Sequence, residues 1–339
     1  MRMTLDAMIG TRLAVGFQGT HATPDLVEQL RATHAQNLVI FSRNFTSPEQ
    51  FTMLLRELEE ALERRFLVLI DHEGGRVVRF SKGLTHFPDA QTQGRTQDAE
   101  AIERQGEVEA QELRRLGVQV NLAPCVDVLT NGCDPVIGDR SYGEDPDRVA
   151  ALAVARIRGL QSHGVAACAK HFPGLGAVPR DPHHLLPTIM LDWDAMERVH
   201  FVPFRAAIEA DVATIMSSHV CYPGLEESNG RPATFSPHLI QGLLRENMSF
   251  RGAILTDDLE MGALRTFGAV SEAAIRATEA GHDLLLICSD LQAAGTAFTA
   301  LQDAYRAGRL PAAELEASVE RLQRLQHQVF APSQKVPSP

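Results

Sequence analysis

The chain has 339 residues, 44% of them hydrophobic, and this is enough apolar sequence for one large domain or two ordinary ones. Its 32 basic and 43 acidic residues give a formal net charge of −11. Proteins that bind nucleic acid or anionic membranes need a basic face, so this charge balance argues against both kinds of partner. The five cysteines are scattered without a CxxC pair, which favours a reducing compartment.

The start of the chain gives no targeting signal. It carries Asp6 and only a short apolar patch, without the long apolar stretch and cleavage site of a signal peptide. No apolar run reaches the length that spans a bilayer. We therefore expect a cytoplasmic protein, and we expect it to be a monomer.

Eight short β-rich runs recur along the chain, separated by segments with helical character. The runs are apolar throughout, which is typical of strands that are covered on both faces. The capping box Ser47-Pro48-Glu49-Gln50 predicts a helix over 47–64, and apolar spacing predicts another over 192–210. The predicted strands are Leu13–Phe17, Asn37–Phe41, Phe66–Ile70, Val118–Leu122, Val165–Ala169, Ala213–Met216, Ala253–Leu255 and Asp283–Ile287.

Strands that alternate with helices predict parallel βαβ units, and eight such units in one chain indicate a (β/α)₈ barrel. We predict an α/β fold, a single-domain TIM barrel over residues 1–330 in which the first strand can be irregular. A short, polar, Pro-rich tail at 331–339 is expected to be disordered. A doubly wound open sheet is the main alternative. It would need a dinucleotide fingerprint after the first strand, and Gly16–Thr20 is not one.

Polar residues follow most of the predicted strands. In a barrel the catalytic groups lie at the C-terminal ends of the strands, so these residues are site candidates. Some have a plain structural interpretation, since His219 could be a core imidazole with satisfied hydrogen bonds. That interpretation is weakest for Lys170-His171, because a polar pair on a strand is costly unless at least one side chain enters a polar pocket. The candidates are Arg43, Asp71, His72, Glu73, Arg76, Arg79, Asp127, Asp139, Arg140, Lys170, His171, His219, Asp257 and Asp258.

Three kinds of function fit these groups. A metal-dependent hydrolase could use the histidines and carboxylates, but the chain has no HExxH and no HxH after its first strand. A binding module could hold a sugar without catalysing a reaction on it. Retaining glycoside cleavage needs a carboxylate nucleophile and an acid/base group, and an imidazole oriented by an aspartate can serve as the latter near neutral pH.

Motifs in chain order resemble those of the bacterial β-N-acetylglucosaminidases of glycoside hydrolase family 3, and the resemblance covers nearly the whole chain. Asp71–Phe80 is similar to the family's D-Q-E-G-G-R-V-Q-R-F. Lys170–Pro187 is similar to K-H-F-P-G-H-G followed by D-S-H, and Leu255–Met261 is similar to S-D-D-L-x-M. The matching segments are Asp71–Phe80, Asn121–Asp127 with Asp139–Asp145, Lys170–Pro187 and Leu255–Met261.

The resemblance implies a retaining enzyme in which Asp257 is the nucleophile and His183, paired with Asp181, is the acid/base group. Its substrate would be terminal, non-reducing β-linked N-acetylglucosamine on peptidoglycan fragments in cell-wall recycling, with no metal or organic cofactor. A family 3 β-glycoside phosphorylase, a β-glucosidase and a non-catalytic sugar-binding barrel are the alternatives. The implied sugar-binding residues are Asp71, Arg79, Arg140, Lys170 and His171.

Three positions depart from the family pattern. Leu175 stands where the family has a loop histidine, and His184 directly follows His183. Pro182 replaces a serine inside the dyad and restricts Asp181 to an extended backbone. These changes are expected to affect loop closure and leaving-group preference more than the nucleophile.

Overall fold

The computed structural model describes residues 3–130, 132–226 and 230–331. Eight parallel strands close into a barrel in chain order, with the first strand paired to the last. The predicted TIM barrel is therefore confirmed and the open sheet is wrong. The strands are β1 (Leu13–Val15), β2 (Asn37–Ile40), β3 (Leu67–Ile70), β4 (Val120–Asn121), β5 (Ala166–Phe172), β6 (Thr214–Ser217), β7 (Ala253–Asp258) and β8 (Leu284–Ile287).

The irregular strands are not where the sequence placed them. The first strand, β1, is short, yet Ala14 pairs in parallel with Asn37 on one side and Leu286 on the other. The register shifts lie in β5 and β7 instead. Both strands also run further than predicted, β5 to Phe172 and β7 to Asp258, so their polar ends belong to the barrel wall itself.

Helices cover the outside of the barrel and begin at the caps that the sequence marks. Ser47 Oγ accepts a hydrogen bond from Gln50 N at 3.2 Å at the start of the predicted helix. The helix predicted over 192–210 is present, with a π-helical turn at Met196–His200. The helices are α1 (Leu5–Thr11), α2 (Pro24–Ala32), α3 (Pro48–Leu62), α4 (Ala90–Thr96), α5 (Ala99–Arg115), α6 (Pro146–Ser162), α7 (Trp193–Ala195), α8 (Phe201–Glu209), α9 (Val270–Ala280), α10 (Leu291–Arg306) and α11 (Ala312–Phe330), with a π-helix at His238–Asn247 and short 3₁₀ turns at Ser42–Asn44, Gly138–Arg140, Ala233–Phe235 and Gly262–Phe267.

Helix α11 closes the N-terminal end of the barrel. Its Leu322, Leu325 and Val329 join the apolar cluster formed by the inward side chains of the strands. Burying each such side chain contributes about 1.5–3 kcal/mol. The barrel interior is therefore packed and closed at this end by α11.

Within the described parts of the chain, no helix combines the length and the apolar character that a membrane crossing requires. The tail predicted to be disordered lies outside the described residues from residue 332 onward.

Candidate active site

A polar cavity of about 370 Å³ opens at the C-terminal ends of the strands. Apolar side chains from inside the barrel form its floor, among them Val39, Leu122 and Met216. Residues predicted from five distant stretches of sequence, 71–79, 140, 170–171, 183 and 257–258, thus meet around one space. Of the eight predicted site residues, seven line it: Asp71, Arg79, Arg140, Lys170, His171, His183 and Asp257.

A buried ion network forms one wall of the cavity. Lys170 Nζ lies 2.7 Å from Asp71 Oδ1 and 2.6 Å from Glu73 Oε1. Arg140 donates to both oxygens of Glu73, at 2.9 and 2.8 Å, and Arg79 donates to Asp71 at 3.1 Å. Burial opposes ionisation of the two carboxyl groups, but the surrounding cations outweigh it and lower the pKa of both. The wall therefore stays charged and fixed without a ligand.

Glu73 is the member of this wall that the sequence did not assign. It was visible only as a second carboxylate two residues after Asp71. Its partners come from far along the chain, Lys170 from β5 and Arg140 from the 3₁₀ turn Gly138–Arg140, and closure of the barrel brings them together.

Lys170 and His171 both face the cavity, although neighbours on a regular strand point to opposite faces. The pairing with β6 explains this, because Met216 and Ser217 are consecutive while their partners are Lys170 and Phe172. His171 is thus an extra residue in β5, and such a bulge re-aims a side chain.

The end of β7 has the same irregularity. Leu284 and Leu286, two residues apart on β8, pair with Leu255 and Asp258, which are three residues apart. The extra residue brings Asp257 and Asp258 to the same cavity. Bulges on two strands therefore supply both the adjacent cation–imidazole pair and the adjacent carboxyl pair.

Asp127 holds the segment that follows Lys170. Its carboxylate, 1% exposed, accepts hydrogen bonds from Leu175 N at 2.6 Å and from His171 Nδ1 at 2.8 Å. His171 Nδ1 is then a donor, and its Nε2 lies 3.4 Å from Arg140 NH2. The sequence marked Asp127 as a polar residue after a strand but gave it no role. Its position indicates that it orients His171 and anchors the loop that begins there.

The ligand atoms of Cys125, Asp127 and His171 lie within 4.8 Å of one another, close enough to consider a metal ion. Cys125 Sγ donates to Asp127 Oδ2 at 3.3 Å. Burial raises the pKa of the Cys125 thiol well above its ordinary value, whereas a metal ligand must be a thiolate. The contacts within this group are those of a hydrogen-bonded unit.

Asp257 is a partly buried carboxylate at the end of β7. Burial alone would raise its pKa, but the imidazoles of His219 and His171 and a hydrogen bond from Asp258 N lower it below the ordinary value. The Asp258 N to Asp257 Oδ1 distance is 2.8 Å. Asp257 is therefore ionised at neutral pH, which is the form a nucleophile requires.

The adjacent Asp258 is the opposite case, since burial raises its pKa to about 7. Its Oδ1 accepts from Glu260 N at 3.1 Å and from Cys288 N at 3.2 Å, so it ties β7 to the end of β8. His219 supports the same turn: its Nε2 donates to the Asp258 carbonyl at 2.9 Å, and its Nδ1 lies 2.6 Å from Thr234 Oγ1. The interpretation of His219 as a core imidazole with satisfied hydrogen bonds is confirmed.

The predicted dyad forms in the loop after β5. His183 Nδ1 lies 2.6 Å from Asp181 Oδ1, and the same oxygen accepts from His183 N at 2.8 Å. Burial opposes ionisation of Asp181, but these hydrogen bonds prevail and lower its pKa. The carboxylate holds the Nδ1 proton, so Nε2 of this 56% exposed ring is the atom left to exchange a proton with a ligand. Of the two adjacent imidazoles, it is His183 that lines the cavity, and His184 is exposed.

Comparisons with known proteins agree with this geometry. Residues 4–325 match the Glycosyl hydrolase family 3 N terminal domain. A Beta-hexosaminidase of Methylococcus capsulatus is 38% identical over 289 residues, which are 84% of this chain and 85% of that protein.

Solved structures give the same picture. A glycoside hydrolase family 3 β-N-acetylglucosaminidase from Paenibacillus sp. FPU-7 superimposes with a TM-score of 0.94 at 37% identity over 97% of this chain, which spans 63% of that longer chain. A family 3 glycosyl hydrolase of Mycobacterium smegmatis has a TM-score of 0.84 at 30% identity, covering 95% of this chain and 97% of that one. The chain therefore belongs to glycosyl hydrolase family 3, and it is a glycoside hydrolase.

Proposed function

We propose that the protein is a retaining exo-β-N-acetylglucosaminidase. The observation that carries the proposal is that Asp257 and His183 line one cavity together with the ion network. A retaining mechanism needs an ionised carboxylate as nucleophile and a proton donor for the leaving oxygen. The name of the Paenibacillus relative supports N-acetylglucosamine as the sugar, and that of the Methylococcus relative supports a β-hexosaminide.

The reaction takes two steps at the anomeric carbon. In the first, an Asp257 carboxylate oxygen attacks this carbon while His183 Nε2 gives its proton to the departing glycosidic oxygen. In the second, His183 Nε2 takes a proton from water, the water oxygen bonds to the anomeric carbon, and Asp257 is released. Two inversions retain the β-configuration. Asp181 stays ionised and stabilises the imidazolium in the state that has just taken up a proton.

The sugar lies against the ion network in this proposal. Asp71 and Arg79 have 19% and 26% of their side chains exposed, and they offer an acceptor and a donor to sugar hydroxyls. Lys170, Arg140 and His171 are more buried and fix these groups, adding donors at the base of the cavity. Exo cleavage is proposed from the similarity of the Asp71, Lys170 and Asp257 motifs to enzymes that release a terminal sugar.

We also propose peptidoglycan fragments as the source of this sugar, hydrolysed during cell-wall recycling in the cytoplasm by a monomeric enzyme. The support is the similarity of the Asp71, Lys170 and Asp257 motifs to bacterial enzymes of this type. A disaccharide of N-acetylglucosamine and anhydro-N-acetylmuramic acid tests the substrate directly. Light scattering of the purified protein tests the monomer.

The central experiment compares chromogenic β-N-acetylglucosaminide and β-glucoside substrates with and without inorganic phosphate. We expect rapid release from the glucosaminide, slow release from the glucoside, and no sugar phosphate among the products. A phosphate-dependent rate with formation of a sugar phosphate would identify a phosphorylase. Equal rates on both substrates would contradict N-acetylglucosamine specificity.

Substitutions test the assigned roles. Asp257→Ala should abolish hydrolysis, and near-normal turnover would favour a non-catalytic sugar-binding barrel. His183→Ala should impair mainly substrates with poor leaving groups, because good leaving groups need little protonation. His184→Ala is the matched control, and if it shows the leaving-group pattern instead, the dyad is wrongly assigned.

A further inference from the structure

We infer that Gly262 is a positioning residue that holds the acid/base loop against the strand that carries the nucleophile. The acid/base loop is residues Asp181–His184, and the latch is the pair Gly262 and Ala263. Gly262 N donates to His183 O at 3.0 Å, and Ala263 N donates to Pro182 O at 3.2 Å. The inference rests on the proposed role of His183 and adds a residue through which that role depends on β7.

Gly262 is where the loop and the latch approach most closely. A Cβ at this position would lie 2.5 Å from His183 O, 2.7 Å from His184 O and 3.0 Å from His184 C. All three atoms are backbone, so no side-chain rotation could relieve the contact. The φ of Gly262 is outside the left-handed region, so an alanine would be acceptable there if the acid/base loop moved away.

The latch is rigidly connected to the nucleophile. Met261 N donates to the carbonyl of Asp258 at 3.1 Å, and the same carbonyl accepts from His219. Leu259 N donates to Leu286 O of β8 at 2.9 Å. The latch therefore has a fixed place relative to Asp257 and gives the acid/base loop a fixed surface to rest on.

Neighbouring segments hold both flanks of this loop: Asp134 N donates to Val178 O at 2.7 Å before it, and Cys221 N donates to Pro187 O at 3.0 Å after it. Asp127 also fixes the preceding segment through Leu175 N at 2.6 Å. At its tip His183 is 56% exposed and bonds to Asp181 within the same loop. Between these flanks, the hydrogen bonds from Gly262 N and Ala263 N are the ones that tie residues 181–184 to the rest of the described chain, so they place the imidazole over the cavity. Because the acid and the nucleophile must face the same bond, the latch sets their separation.

Gly262→Ala should move the acid/base loop by about 1 Å, and a misplacement of that size can lower a rate about 100-fold. The loss should depend on the leaving group. We expect kcat/KM within about 3-fold of wild type on a 2,4-dinitrophenyl glucosaminide, which needs no acid, and about 100-fold lower on an alkyl glucosaminide, which does. Gly295→Ala is the matched control, because a Cβ there has nothing within 4 Å.

A double-mutant cycle separates this role from a general structural one. If Gly262 acts through His183, then Gly262→Ala should change kcat/KM by less than about 2-fold in the His183→Ala background. The pH–rate profile of Gly262→Ala should also lose the limb that reports the imidazole. A full additional loss in the double variant would overturn the inference, because Gly262 would then act by another route.

Hydrogen exchange gives a readout that needs no activity. In the ligand-free wild type, the amides of Gly262 and Ala263 should be protected, since the loop carbonyls accept from them. In Gly262→Ala, peptides covering 181–186 and 259–264 should exchange faster, while the β7 peptide 253–258 should not change. Unprotected latch amides in the wild type would contradict the inference, and they would leave the proposed hydrolysis unaffected.

Discussion

Asp127→Asn tests whether a residue with no direct contact to the reacting bond organises the site. The carboxylate, 1% exposed, accepts from Leu175 N, His171 N, His171 Nδ1 and Cys125 Sγ. An amide offers one oxygen and one NH₂ in the same volume. If its oxygen stays with Leu175, its NH₂ meets His171 Nδ1, which must then give up its proton. That proton moves to Nε2, 3.4 Å from the Arg140 guanidinium, so two donors face each other.

The magnitude follows from the bonds that are lost. A hydrogen bond to a buried charge is worth about 1.5–3 kcal/mol, and an unsatisfied buried donor adds a similar cost, so we expect destabilisation by about 3 kcal/mol. An unfolding entropy of about 2.1 cal/mol/K per residue gives roughly 0.7 kcal/mol/K for this chain and a Tm decrease of about 4 °C. With His171 in the wrong tautomer, kcat/KM should fall about 100-fold or more.

The assay is thermal unfolding together with kinetics on a leaving-group series. The rate loss should be the same for good and poor leaving groups, because in the proposed mechanism His171 binds the sugar and not the departing oxygen. This pattern distinguishes Asp127→Asn from the leaving-group-dependent loss expected for His183→Ala. Asp303→Asn, at an exposed position of α10, controls for removal of a charge. A Tm within 1 °C of wild type and turnover within about 3-fold would refute the reasoning.

Three further predictions concern the buried charges of the site and its independence of metal ions. Lys170→Met leaves Asp71 and Glu73 without their shared cation, and breaking a buried pair costs about 3–5 kcal/mol, so its Tm should fall by roughly 4–7 °C, and an unchanged Tm would show that the network is not needed. The raised pKa of Asp258, about 7 against an ordinary 3.8, means that the stability from its protonated form is fully present below pH 3.8 and lost as the pH rises through 7. Asp258→Asn cannot lose a proton, so urea unfolding should show it gaining stability relative to wild type between pH 4 and pH 8; a constant difference would contradict the raised pKa. Finally, hydrolysis should survive exhaustive chelation, and a loss restored by added metal would favour a metal-dependent hydrolase.

The fold was readable from the sequence because its signals are local. Apolar runs, capping residues such as Ser47 and the alternation of strand and helix each depend on a few adjacent residues. The family resemblance placed Asp257, His183 and Asp181 by their motifs. The cavity then gathered seven of the eight predicted residues because barrel closure brings all strand ends to one rim.

The missed features depend on contacts between distant segments. The bulges in β5 and β7 are set by the register against β6 and β8, which no local pattern records. Glu73 and Asp127 were candidates without a role, and a role could be assigned only when Lys170, Arg140 and His171 were placed beside them. The contact between Gly262 and His183 is between backbone atoms. Such a contact does not restrict which residues occur in the sequence, except that it requires a glycine at position 262.

Helix α11, which closes the N-terminal end of the barrel, also affects the order in which the protein folds during synthesis. Domains fold as they emerge during synthesis, at about 5–20 residues per second. The barrel cannot close until β8 pairs with β1, and its interior stays open until Leu322, Leu325 and Val329 of α11 arrive. A nascent chain that has already formed its rim of charged residues still exposes apolar strand faces at the other end. The packed core of this enzyme is therefore completed only after its last described helix has been synthesised.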